Sequence, residues 1–121
     1  MIYKEFNNAY ILQLEQHEEL TREIKKFCTE KNILNASVSA IGAINSVTLG
    51  FYESSSQSYV QQSFHKPFEL SCATGTILTD NGETVMHIHA TISDKDFRTY
   101  GGHLFRAIVS KTIEVVIIPF V

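Results

Sequence analysis

Hydrophobic positions recur along this chain with two periods, and the change from one to the other organises it. In HEELTREIKKFCTEKN, Leu20, Ile24, Phe27 and Cys28 fall at i, i+4, i+7 and i+8. That spacing is the stripe of an amphipathic helix. Glu18 and Glu19 in its first turn and Lys31 in its last complement the helix dipole, and Asn32 marks the stop. YILQLEQ, just before, predicts a strand that starts the structured region and ends near Glu15. From Ala36 the period drops to two. Ala36, Val38 and Ala40 alternate with serines, then Val47, Leu49 and Phe51 alternate with Ser46, Thr48 and Gly50. This predicts two half-buried strands with a bend at Gly42 between them.

ESSSQSY has little to bury and reads as an exposed loop. YVQQSFH is a weak strand suited to a sheet edge, and a long strand follows Pro67 to about Thr79. TDNGET predicts a tight hairpin, because Asn81-Gly82 suits the two positive φ angles of a type I′ turn. TVMHIHATIS is then the return strand. After the loop DKDFRTYGG, HLFRAIVSK fits helix or strand equally, and TIEVVIIPF is a β-branched final strand closed by Pro119. Residues 1–121 thus predict one α+β domain, a mainly antiparallel sheet with one clear flanking helix and room for a second short one.

The hairpin register has consequences for the faces. With Asn81-Gly82 as the loop, Asp80 faces Glu83, Thr76 faces His87 and Thr74 faces His89, and opposed residues share a side. His87 and His89 then lie with Cys72, Thr74, Thr76, Leu78 and Val85. The other side carries Ala73, Gly75, Ile77, Met86, Ile88 and Ala90, the place for helix packing. Simple alternation carries Phe68 and Leu70 along the histidine side as well. Both sides then call for cover that one helix does not supply, and a second subunit would supply it.

Composition narrows the function classes. A chain of 121 residues is long enough for a core without disulfides. A net charge of −3 speaks against non-specific nucleic-acid binding, which needs many Lys and Arg on phosphates. Cys28 and Cys72 lie in apolar-patterned segments and form no Cys-x-x-Cys pair, so both are expected to be buried free thiols in a reducing compartment. MIYKEFNNAY lacks the basic start and apolar run of a secretory signal. No stretch approaches the ~20 apolar residues of a membrane span. The expected location is the cytoplasm.

Three of the five histidines fall within HIHATISDKDFRTYGGHL. Strand residues i and i+2 project in parallel, about 6.6 Å apart, so His87 and His89 can converge on one ion. His103 follows Gly101-Gly102, whose backbone freedom allows it to return as a third ligand. Three neutral imidazoles with an open position resemble a catalytic zinc site. Zinc is the first expectation, with nickel, iron or copper also compatible. The alternative is three histidines hydrogen-bonded to Thr hydroxyls or carbonyls at a subunit boundary, with Gly-Gly as a turn. Other residues carry weaker signals. Cys72 has no neighbouring positive charge to make it a thiolate. Glu69 and Glu114 each stand alone, and His17 and His65 are expected to be solvated. Lys95, Arg98, Arg106 and Lys111 are interleaved with Asp94 and Asp96 and read as a charged surface.

Taken in order, HEELTREIKKF, ASVSAIGAINSVTLGFYE, FELSCATGTI, DNG, MHIHATISD, GGHL and IEVVII resemble the plants-and-prokaryotes-conserved (PPC) domain, found with AT-hooks in plant nuclear proteins. The resemblance implies an antiparallel sheet with few helices, assembled as a homotrimer. It also implies that His87, His89 and His103 occupy the family's His-x-His and Gly-Gly-His positions, suspected of forming a metal site. Ala107 stands where family members usually have glycine, and its methyl would narrow the space near His103. No Arg-Gly-Arg-Pro core is present, so the DNA binding of AT-hook proteins does not transfer. The expected function is a stand-alone trimeric binding or regulatory module with a divalent-metal site. The alternatives are a metal-dependent enzyme on a small molecule, with Glu69 or a loop carboxylate as base, and a DNA-associated regulator. The ligand, small molecule or protein, is left open.

Overall fold

The computed structural model describes residues 1–121. In chain order it contains β1 (Ile2–Phe6), β2 (Ala9–Glu15), α1 (Leu20–Glu30), β3 (Ala36–Glu53), β4 (Ser58–Phe64), β5 (Phe68–Asp80), β6 (Glu83–Ser93) and β7 (Thr99–Pro119). All strand pairs are antiparallel and run in the order β1-β2-β7-β6-β5-β3-β4. β7 also pairs with β3, so β3, β5, β6 and β7 close on one another. β1, β2 and β4 extend from that ring. Closure gives each of these four strands a neighbour on both sides, leaving β1 and β4 as the edge strands. It encloses small and β-branched side chains, among them Val38, Ala40, Ala73, Ile77, Ile88, Ala90 and Val115.

The helix forms where its stripe requires. Leu20, Ile24, Phe27 and Cys28 are all buried and join a single core cluster with Leu12 and Leu14 of β2. Glu19 is the N-cap, accepting from the N–H groups of Thr21 and Arg22 at 3.0 and 2.9 Å. Lys31 is the C-cap, and Asn32 turns away with φ 56°. Cys28 is a buried free thiol, as expected, and burial pushes its pKa up to about 11. Glu23 is also buried, and burial followed by the nearby Glu18 carboxylate raises its pKa.

Several expectations need correction. The structured region begins at β1, whose five residues are all exposed and carry no burial signal. The two strands expected around Gly42 are one strand of 18 residues with register shifts along it. α1 is the only helix, because HLFRAIVSK belongs to the 21-residue β7. Its buried residues Leu104 and Ala107 stand three apart, which imitates a helical period. An extra residue, Phe105, sits between the Leu104–Leu49 and Arg106–Thr48 pairs and produces that spacing.

A second bulge has larger consequences. Leu70 pairs with Ile92 and Cys72 with Thr91, leaving Ser71 as an extra residue in β5. The extra residue inverts the alternation. Phe68 and Leu70 therefore point into the core rather than along the histidine side. Cys72 keeps the hairpin register opposite Thr91, on the histidine side, and is exposed there rather than a buried thiol. The apolar face is covered by closure of the sheet and by α1, so Phe68 and Leu70 are buried within the chain's own core and do not call for a second subunit.

Candidate metal centre

The site is built on the β5–β6 hairpin. Asn81 and Gly82 have φ of 51° and 79°, and the pairs Asp80–Glu83, Thr76–His87 and Thr74–His89 form as the turn dictates. His87 and His89 project outward from β6, while the intervening Ile88 is buried. On the other flank β7 pairs His103 directly opposite His89. Gly101 and Gly102 are strand residues opposite Thr91 and Ala90, so the Gly-Gly pair is not a turn.

These pairings bring the three rings together. Ring centroids lie 5.2 Å apart for His87–His89, 5.8 Å for His87–His103 and 5.6 Å for His89–His103. One nitrogen from each ring can be chosen so that all three lie within 4.8 Å of one another. Tetrahedral ligation at about 2.0–2.1 Å would separate the nitrogens by roughly 3.4 Å. The remaining closure of ~1.4 Å is within reach of small side-chain rotations of surface rings. His87 and His89 are exposed and His103 is half-buried. Burial, then the charges of His89 and His87, hold the His103 pKa below the usual histidine range. The neutral ring that results is the form a metal requires. The donor set therefore fits a borderline cation such as zinc.

A wall of aromatic residues backs His103. Tyr59 of β4 and Phe105 of β7 pack on its ring at centroid distances of 4.9 and 4.8 Å, and on each other at 5.2 Å. The Tyr59 hydroxyl lies 3.5 Å from His103 Nδ1. β4 reaches the site because Gly50 of β3 pairs with both Gln61 and His103. A side chain at position 50 would collide with the Phe105 ring and come within 3.0 Å of Tyr59 Cδ1. Sequence reasoning missed Tyr59 and Phe105. YVQQSFH shows only a weak strand, and no local pattern links it to a residue more than forty positions away.

Other expected residues lie elsewhere. His17 and His65 are exposed, and His65 Nδ1 is 3.2 Å from Ser46 Oγ. Glu69 pairs with Ser93, four positions along β6 from His89, so it is not brought to the histidines. Asp94 accepts N–H bonds from Asp96 and Arg98 at 2.9 and 3.0 Å and organises a charged turn. Ala107 is fully buried, and its N–H donates to Glu19 Oε2 at 2.8 Å. It belongs to the side packed by α1, so its methyl does not narrow the histidine site.

A largely antiparallel sheet carrying a strand-borne histidine triad, with one helix, defines the class of molecule. The chain belongs to the Plants and Prokaryotes Conserved (PCC, also written PPC) domain family, whose model matches residues 1–121. Its structure is similar to that of a Bacteroides thetaiotaomicron protein provisionally described as DNA-binding. The TM-score is 0.95 at 34% identity, over 98% of this chain and 83% of that one. It is similar as well to a metal-containing protein from Archaeoglobus fulgidus, with TM-score 0.87 and 33% identity over 98% and 84% of the two chains. A PPC protein from Pyrococcus horikoshii shares the fold, with TM-score 0.88 and 22% identity over 99% and 83%. No curated protein matches the chain significantly.

Proposed function

We propose that the protein is a metal-binding PPC-domain module in which His87, His89 and His103 hold one divalent cation, zinc first. The convergence of three imidazole nitrogens within 4.8 Å carries this reading. The similar Archaeoglobus protein, described as metal-containing, supports it. Three neutral ligands leave the full double charge on the ion and a position open to water or an anionic ligand. The module then acts as a binding or regulatory unit rather than through acid–base chemistry of its own, since no carboxylate belongs to the cluster. Glu69, a candidate base for a metal-dependent enzyme, lies on β5 opposite Ser93, four positions along β6 from His89.

The reading includes a cytoplasmic homotrimer whose subunits enclose the site. Leu78 and Val85, on the histidine side of the hairpin, are 45% and 48% exposed, which suits an interface. DNA association is the weaker reading, because a chain of net charge −3 supplies few phosphate contacts.

The test is metal analysis of protein purified without a histidine tag. About one equivalent per chain, lost in His87→Ala, is expected. Less than about a tenth of an equivalent, unchanged by that substitution, would remove the metal from the account.

A further inference from the structure

His103 differs from the other two histidines in having a protein partner for its ring, the Tyr59 hydroxyl at 3.5 Å from Nδ1. His87 and His89 stand exposed beside it. A histidine's χ2 torsion is broad, so an unsupported surface imidazole samples several orientations and both tautomers. At His103 two aromatic rings, Tyr59 and Phe105, close one side at 4.9 and 4.8 Å. They stand perpendicular to each other, at 89°. Both rest over Gly50, where a Cβ would collide with Phe105. Three strands thus contribute to the seating of one ring: β3 through the missing side chain, β4 through Tyr59 and β7 through Phe105.

We propose that Tyr59 is a positioning residue. Its hydroxyl accepts a hydrogen bond from Nδ1–H of His103, which leaves Nε2 as the nitrogen free for a cation. The inference deepens the metal reading and rests on it for the ligand's identity. Histidines that bind metals commonly donate their other N–H to an oxygen, and loss of that partner costs about 10–100-fold in affinity. Carboxylates and backbone carbonyls are the usual acceptors. A phenol fills the same role without adding negative charge, so the site keeps the net positive character that three neutral ligands give it.

Tyr59→Phe tests this directly, because it keeps the ring that packs on His103 and removes one oxygen. The first readout is the His103 tautomer in metal-free, untagged protein, by long-range ¹H–¹⁵N NMR at a pH well above about 6.5. The native protein should show mainly the Nδ1–H form, and Tyr59→Phe should shift the population toward Nε2–H. The second is Zn²⁺ affinity by chelator competition, expected to fall about 10–100-fold without loss of folded structure. Gly50→Ala, which displaces both aromatic rings, should move both readouts the same way. Unchanged tautomer populations in Tyr59→Phe would overturn the proposal even if zinc binds. A tautomer shift in a protein that binds no zinc would uphold the Tyr59 contact and overturn the metal reading instead.

Discussion

The two sides of β6 are separated by a single residue and obey different rules. Inward, Ile88, Ala90 and Ile92 are at most 4% exposed and belong to the one core cluster. Outward, His87, His89 and Thr91 are exposed. The inner side is selected for volume, since close-packed interiors register a change of one methylene. The outer side is selected for donor chemistry and for what stands opposite, namely Thr76, Thr74 and His103. A slip of one residue would exchange the two sets, so the turn that fixes register protects fold and site together. Substitutions on the inner side should therefore alter stability, and those on the outer side should alter binding.

The largest expected effect is on the inner side. Ile92 is fully buried, and Ile92→Ala should cost about 2–5 kcal/mol, read from denaturant unfolding. A loss below about 1 kcal/mol would mean that the inner side tolerates cavities and that the contrast is overstated. Gly75→Ala comes next and couples the sides. A methyl at Gly75 would strike the backbone carbonyl of His87, with Ile88 Cα at 2.8 Å, so the hairpin must shift. Overpacking of this kind costs about 1–3 kcal/mol. Here it should also lower metal affinity, because the strand that moves carries two of the ligands. Lost stability with unchanged affinity would show that the histidine side is insulated from the core.

How much of this was legible follows from where each signal resides. Asn81-Gly82 fixes its own conformation, so the register of Thr74 and Thr76 against His89 and His87 followed from local sequence. The helix was legible for the same reason, because its stripe and its caps lie within one segment. The bulges at Ser71 and Phe105 were not, since one extra residue leaves composition unchanged while reversing which side follows. Phe68 and Leu70 were misplaced on that account, whereas Cys72 lies on the side its register dictates and only its burial was misread. Closure of the sheet was also hidden. It depends on β3 meeting β7, as where Gly50 pairs with His103, and that contact leaves no local trace. The three histidines were found because chemistry marks them. Tyr59 was not, because its role exists only once β4 is folded beside β7.

Asn81→Ala should have a smaller effect than either core change. The residue sits at φ 51°, where a side chain with a Cβ and no local hydrogen bond costs about 1–2 kcal/mol. Asn81→Gly should cost less, since glycine adopts that conformation readily. Equal losses for the two would indicate that the Asn side chain, rather than backbone conformation, holds the turn.

The smallest expected change in stability is the sharpest test of the comparison. His89 lies between two buried residues in sequence yet is itself exposed, and its ring makes no hydrogen bond within the protein. His89→Ala should therefore leave the unfolding free energy of metal-free protein within ~0.5 kcal/mol of native. Zinc should then separate the two. A ligand that binds only the folded state at a hundred times its Kd stabilises by about 2.7 kcal/mol, which the native protein should gain and the variant should largely lose. Thermal melts with and without Zn²⁺ would measure both quantities. A metal-free variant destabilised as strongly as Ile92→Ala would place His89 in the structural framework. It would also erase the division between the two sides of β6, since a one-residue alternation would then no longer separate packing from binding.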